Sequence, residues 1–234
     1  MTQDRATAAR ILLEIGALNV SVAEPYTFTS GWRSPTYVDC RRIIYYPHAR
    51  KAITNMAVQL VQQSIGYEQI QAVAGGETAG IPYAAWMADA LHVPMCYVRK
   101  KPKGFGKNNQ IEGNTPEGLH TLLVEDLTTD GGSKISFVNA LRSAGAVVNH
   151  TLVVFFYGVF PGAQEDLEHM GVTLHSLCDW HDVMKVARQH NSLTTQQIDT
   201  VEKFLENPMT WSAQHGGVAT LEEAKLYKNA REMN

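Results

Sequence analysis

Apolar and polar positions along the chain follow two rhythms. Five short segments, residues 71–74, 95–98, 121–125, 147–156 and 172–177, are apolar with little alternation, the pattern of strands covered on both faces. Between them apolar residues return at helical spacing over 81–91, 133–144 and 163–170. A stretch before the first strand carries Ile53, Met56, Ala57, Leu60 and Val61 on one face. Strand and helix therefore alternate, which predicts an α/β fold: a parallel sheet of about five strands, flanked by helices, with right-handed crossovers. Ligands of such sheets sit beyond the carboxyl ends of the strands, so the loops starting at Gly75, Arg99 and Glu125 are expected to meet around one crevice.

The two ends of the chain depart from this alternation. Ala8, Ala9, Ile11, Leu12, Ile15 and Leu18 have helical spacing interrupted by Arg10 and Glu14, unlike a signal segment or a membrane span. Up to about Pro47 the chain offers a strand-like piece at 36–39 and turn signals at Ser30-Gly31 and Ser34-Pro35, which suit a small cap over the sheet. After Asp179 it becomes polar and helical over 183–189 and 195–205, with Ser192 or Thr194 as a helix cap. Gly216-Gly217 precede a last short helical pattern. With no repeat, low-complexity tract or long linker, three regions are expected: an N-terminal helix and cap over 1–47, an α/β core over 48–180, and a helical C-terminal extension packed on the core over 181–234.

Composition narrows the class. A chain of 234 residues can bury a sizeable core without staples. Three widely spaced cysteines, Cys40, Cys96 and Cys178, suit a reducing compartment, so a cytoplasmic location is expected. The formal net charge of -3 argues against a nucleic-acid partner, because counterion release needs a face that is basic overall. Nine histidines include no H-E-x-x-H and no close Cys/His set, so no dedicated metal site is expected. The charge is nonetheless uneven: Arg99, Lys100, Lys101, Lys103 and Lys107 fall within nine residues that hold no acid. A solvated charge run and an anion-binding loop both satisfy that composition.

The run Val124-Glu125-Asp126-Leu127-Thr128-Thr129-Asp130-Gly131-Gly132-Ser133 carries the most chemistry. It ends an apolar strand and precedes a helix bearing Ile135, Val138, Leu141 and Ala144. Two glycines and several hydroxyls at a helix N-terminus let backbone N–H groups converge on one anion, with the helix dipole behind them. The adjacent acids are poor phosphate ligands but good acceptors for vicinal hydroxyls, and one phosphate with two hydroxyls describes ribose 5-phosphate. A Walker A loop would have a Lys directly after its second glycine, and the Rossmann glycine spacing is absent. An ordinary capped turn with solvated acids is the plain alternative.

This run resembles the signature of type I phosphoribosyltransferases. With Phe28-Thr29-Ser30-Gly31-Trp32-Arg33-Ser34-Pro35-Thr36-Tyr37, Gly80-Ile81-Pro82, and Arg99-Lys100-Lys101-Pro102-Lys103-Gly104 through Ile111-Glu112-Gly113, it resembles the orotate phosphoribosyltransferases over about residues 8–180. The resemblance implies transfer of 5-phosphoribosyl from 5-phosphoribosyl 1-diphosphate to orotate, giving orotidine 5′-phosphate and diphosphate in pyrimidine biosynthesis. It assigns ribose binding to Glu125 and Asp126, and the 5′-phosphate to Thr128, Thr129, Asp130, Gly131, Gly132 and Ser133. The diphosphate falls to Arg99, Lys100, Lys103 and the backbone of Thr78, Ala79 and Gly80, with Lys103 catalytic, and the base to Ser30, Gly31, Tyr37 and Thr129. It further implies Mg2+ bound mainly through the donor diphosphate, and a homodimer that shares the 99–113 loop. Four departures from the family pattern stand out: Thr29 and Ala79 where lysines are common, Phe105 where a histidine is usual, and no arginine in Phe155-Phe156-Tyr157-Gly158 to meet a base carboxylate. Another acceptor base, uracil or a purine, and a non-catalytic nucleotide sensor on the same fold are the rival expectations.

Overall fold

The computed structural model of the chain describes residues 2–103, 110–129 and 131–232. Gly104, Phe105, Lys107 and Asp130, all singled out above, lie outside the described residues. From the N-terminus run α1 (Gln3–Glu14), the short strands β1 (Leu18–Val20), β2 (Tyr26–Thr27), β3 (Arg33–Ser34) and β4 (Thr36–Val38), then α2 (Pro47–Ser64), β5 (Ala72–Gly76) and α3 (Gly80–Leu91). The middle of the chain gives β6 (Met95–Val98), β7 (Ile111–Glu112), β8 (His120–Thr128), α4 (Gly132–Ser143), β9 (Val147–Phe156), α5 (Ala163–His169) and β10 (Thr173–Asp179). It closes with α6 (Trp180–His190), α7 (Thr195–Glu206), α8 (Pro208–Gln214) and α9 (Leu221–Glu232). No helix among the described residues is long and apolar enough to cross a membrane.

The main sheet has the order β10-β9-β8-β5-β6-β7. Its first five members are the expected apolar segments, and they run parallel. β7 is an addition: it pairs antiparallel with β6, Val98 opposite Ile111 and Tyr97 opposite Glu112. Two residues within a Lys/Asn/Gly-rich stretch give no hydrophobic period to detect. β8 also outruns its expected end at Glu125, because the ladder with β9 continues through Leu127 opposite Phe155 and Thr128 opposite Phe156. Backbone pairing carries the strand past the point where its side chains turn polar.

Helices cover both faces of the sheet. Leu122 and Leu123 are each fully buried but serve different layers: Leu122 packs with residues of α1, α2, α3 and α6, Leu123 with Phe137, Val138 and Leu141 of α4. Each such leucine contributes about 1.5–3 kcal/mol by burial. α1 stops at Glu14, and Leu18, expected on the same helix, lies instead on β1. The guanidinium of Arg5 reaches Asp179 at 2.6 Å and Asp182 at 2.7 Å, tying α1 to the capped start of α6. The N-terminal helix therefore packs on the core.

The cap consists of two antiparallel pairs, β1 with β4 and β2 with β3. Tyr157, just beyond β9, anchors it: the phenol accepts from Val38 N at 3.2 Å, and its ring meets Phe28 edge-on. In the C-terminal part Thr194, rather than Ser192, caps α7 by accepting from Gln197 N. α8 is a helix the spacing did not show; Pro208 opens it and Asn207 caps it.

Candidate active site

The carboxyl ends of β5, β6 and β8 bring three of the singled-out loops together. Side chains alternate along a strand, so Glu125 and Asp126 leave β8 on opposite faces, Glu125 on the side of Leu123 and α4, Asp126 on the side of Val124. Glu125 is buried, and its Oε2 accepts from the Lys134 ammonium at 3.0 Å. Lys134, itself 3% exposed, also donates to the carbonyl of Leu127. A lysine in the first turn of a helix opposes the helix dipole, and that misfit in the sequence was the available sign that Lys134 has a specific partner. Between Glu125 and Lys134 lie Thr128, buried, Thr129, half-buried, and Gly131, whose positive φ of 71° turns the chain into α4. Gly132 and Ser133 form the first residues of that helix.

The turn after β5 lies directly over Glu125. A Cβ at Gly80 would stand 2.7 Å from Oε1 of Glu125 and 2.5 Å from the carbonyl of Val124, and one at Gly76 would overlap the same carboxylate and Phe137. Only glycine permits so close an approach of the two strand ends. Thr78 is exposed and Ala79 half-exposed at the mouth of this turn, where the Glu77–Thr78 peptide bond is cis. Glu77 links it to the basic loop, its N–H donating to Val98 O at 2.8 Å and its carboxylate accepting from Lys100 N at 2.8 Å. Arg99 faces Glu112 on β7 at 3.2 Å, while Lys100 and Lys103 are exposed. Three buried polar atoms around this edge have no hydrogen-bond partner among the described residues: Arg99 Nε, Glu125 Oε1 and Thr128 Oγ1. Unpaired buried groups are costly, and these three lie at or just beyond the carboxyl ends of β6 and β8, where ligands of parallel sheets bind.

Of the cap residues, Ser30 is buried and Tyr37 exposed, its ring 5.6 Å from that of Tyr26. Gly31 sits at φ 84°, its N–H donating to Phe28 O at 2.9 Å and its carbonyl accepting from Val218 N at 3.2 Å. Both its backbone groups are thus engaged within the protein. Arg41, which the sequence did not single out, donates to the Tyr37 phenol at 3.1 Å and to Asp39 at 2.5 Å, placing a cation between the cap and the sheet edge.

Burial raises the carboxyls of both Glu125 and Asp126 above their ordinary range, and the positive charge of Lys134 is the largest influence opposing it in each case. Asp126 also feels Arg41. No group of three or more His, Cys, Asp or Glu side chains among the described residues is placed to hold a metal ion. The three cysteines are free and buried. Away from this edge, on β9 and β10, the rings of His150 and His175 approach to 3.2 Å between Nδ1 and Nε2. Twenty-five positions apart in sequence, they formed no visible pair until the strands brought them side by side.

The chain matches the family model described as "Phosphoribosyl transferase domain" over residues 43–180. It is 48% identical over 213 residues to the orotate phosphoribosyltransferase of Allorhizobium ampelinum, covering 91% of this chain and 93% of that one. To the orotate phosphoribosyltransferase of a Ruegeria species it is 52% identical over 204 residues, 87% of this chain and 90% of the relative. The crystal structure of orotate phosphoribosyltransferase from Aeropyrum pernix superposes with a TM-score of 0.67 at 30% identity, covering 80% of this chain and 99% of that one.

Proposed function

The chain belongs to the orotate phosphoribosyltransferase family, and from that membership we propose how its own residues transfer 5-phosphoribosyl from 5-phosphoribosyl 1-diphosphate to orotate. The observation that carries the proposal is the convergence of the Gly76–Gly80 turn, the strand end at Arg99 and the acid-Thr-Gly run on one sheet edge lined with unpaired polar atoms. Backbone N–H groups around Thr129, Gly131, Gly132 and Ser133, with the buried Thr128 hydroxyl, cradle the 5′-phosphate at the α4 N-terminus. Asp126 accepts from the ribose hydroxyls, and the free Oε1 of Glu125 offers a second acceptor. Asp130 belongs by its place in the sequence to the same cradle.

Departure of diphosphate leaves positive charge on the sugar and negative charge on the leaving group. Lysines that close on the diphosphate as it leaves stabilise that separation more than they stabilise the bound donor. Lys103 and Lys100, both exposed, are free to do so. Arg99 holds the base of the loop through Glu112 while its Nε remains unpaired, and the turn at Thr78, Ala79 and Gly80 supplies backbone donors. Phosphoribosyltransferases in general use Mg2+ with this donor. The oxygen-rich edge here suits a hard cation, with Asp126 as the carboxylate to share it and the diphosphate as its main ligand. When bound, Mg2+ neutralises part of the charge on the departing diphosphate.

Orotate lies under the cap, against Tyr37 and Ser30 and beside Thr129, with Gly31 giving the turn its shape. The 99–113 loop begins at the end of β6, the last parallel strand, whose outer side pairs with the two-residue β7. A loop starting there is well placed to serve a second copy of the chain, which supports a twofold homodimer sharing the 99–113 loop. Free buried thiols suit the cytoplasm. Ultraviolet assay of orotate consumption with donor and Mg2+, run beside uracil and adenine, tests the proposal. Turnover confined to orotate is expected, and turnover confined to another base would overturn the base assignment alone.

A further inference from the structure

We propose that the C-terminal extension is the outer wall of the base site: Ser212, Val218 and Tyr227 hold the turn over residues 30–33 in the shape that receives orotate. The inference deepens the assignment of Ser30 and Tyr37 to the base and rests on it.

A closed chain of hydrogen bonds joins the two regions. Arg33 N donates to Ser212 Oγ at 3.0 Å, the Ser212 hydroxyl donates to Val218 O at 2.8 Å, and Val218 N donates back to Gly31 O at 3.2 Å. Ser212 is fully buried, so no water stands ready to replace it. The surfaces also fit closely. A Cβ on Gly31 would lie 2.8 Å from Cγ of Tyr227 and 2.9 Å from Cγ1 of Val218, and one on Gly217 would lie 2.6 Å from Cγ of Arg33. The phenol ring of Tyr227 thus lies flush against the α-carbon of the turn.

Trp32, directly before β3, is anchored beside it. It is 1% exposed and stacks on Phe160 with centroids 4.8 Å apart and planes inclined by 20°. Phe204 of α7 and Ala224 of α9 complete that small core. Around these contacts a cleft of about 340 Å³ remains between cap and extension, lined by Thr27, Gly31, Arg33, Gly217, Glu223 and Tyr227. Beside this cleft the direct contacts of Ser212, Val218 and Tyr227 hold the turn at Gly31 and Arg33. A turn fixed in advance binds its ligand without first losing conformational freedom, so loosening the seam weakens orotate and leaves the donor, held at the sheet edge, unaffected.

The test compares Ser212→Ala and Tyr227→Ala with Leu226→Ala, a neighbour 62% exposed, and with Tyr37→Ala, which probes the base assignment by itself. KM for orotate and for the donor, kcat and thermal stability are measured for each. Ser212→Ala and Tyr227→Ala are expected to raise KM for orotate by roughly tenfold while KM for the donor stays within about twofold, and Leu226→Ala to match the parent. If Tyr37→Ala raises KM for orotate but the extension variants lose only stability, the extension is a structural brace and the proposal fails while the base assignment stands. If Tyr37→Ala leaves KM for orotate unchanged as well, the base assignment fails and takes the proposal with it. Should Ser212→Ala not fold, Tyr227, 41% exposed, carries the test.

Discussion

The ammonium of Lys134 lies 3.0 Å from Oε2 of Glu125, with both side chains nearly out of water. The same ammonium bonds the carbonyl of Leu127, so the first turn of α4 is tied to the end of β8 on either side of the phosphate loop. Removing one partner from a buried pair leaves the other charge stranded, at a cost of about 3–5 kcal/mol. Lys134→Met should therefore lower stability by about that amount in urea denaturation and raise KM for the donor. Adding Glu125→Gln to it should restore much of the stability and none of the donor affinity. Full recovery of both in the double variant would show the pair to be structural only.

Glu125 and Asp126 make a pH prediction whose sign differs for stability and for activity. Burial raises both carboxyls above their ordinary values of 4.5 and 3.8. A carboxyl raised in the fold contributes stability below its ordinary value and loses it as pH rises through the folded value. Catalysis needs the ionised forms, so kcat/KM for the donor should fall on the acid side above the ordinary carboxylate range, where stability is rising from these two groups. A pH profile of kcat/KM beside urea titrations checks this; an acid limb at or below the ordinary values would contradict it.

His175 predicts the opposite trend for stability. Burial, and then the neighbouring His150, lower it from 6.5 to about 4. The unfolded chain therefore takes up a proton before the folded one, and stability is lost as pH falls from 6.5 toward 4. After discounting for partial exposure this is roughly 1 kcal/mol, or about 2–4 °C in Tm for a chain of this size. His175→Asn should flatten the acid side of a Tm-against-pH curve by that amount, and an unchanged curve would remove His175 from the account.

Much of the fold was legible because its physics is local. The five parallel strands and the helices α3, α4 and α5 announce themselves by period, and the cap of α7 by a hydroxyl followed three residues later by Gln197. What escaped depends on contacts distant in sequence. β7 exists because β6 offers it an edge, and β8 continues past Glu125 because β9 pairs with it. Trp32 stands between two turn signals, and its burial depends on Phe160 and Phe204, far away in sequence. Within the site the sequence marked the loops but not their coupling: the lysine that fixes Glu125 stood one residue beyond the run that drew attention.

The shared loop can be tested by mixing variants. Lys103→Ala disables the loop and Asp126→Asn the ribose site, so each homodimer should be nearly inactive. If the loop serves the neighbouring subunit, a hybrid dimer holds one intact site, and a fully exchanged equimolar mixture should recover about a quarter of parental activity. A loop that serves its own subunit would recover none, and so would a monomer in sedimentation.

The most direct test of the site as a whole is the rate of orotate consumption by the parent and by Asp126→Asn, with orotate saturating, Mg2+ present and the donor varied. The hydrogen bonds of a charged carboxylate to sugar hydroxyls predict a loss in kcat/KM for the donor of roughly 10- to 100-fold. A variant that keeps the parental kcat/KM for the donor would mean that the ribose does not lie at this strand end, and the assignment of the sheet edge to the donor would fall.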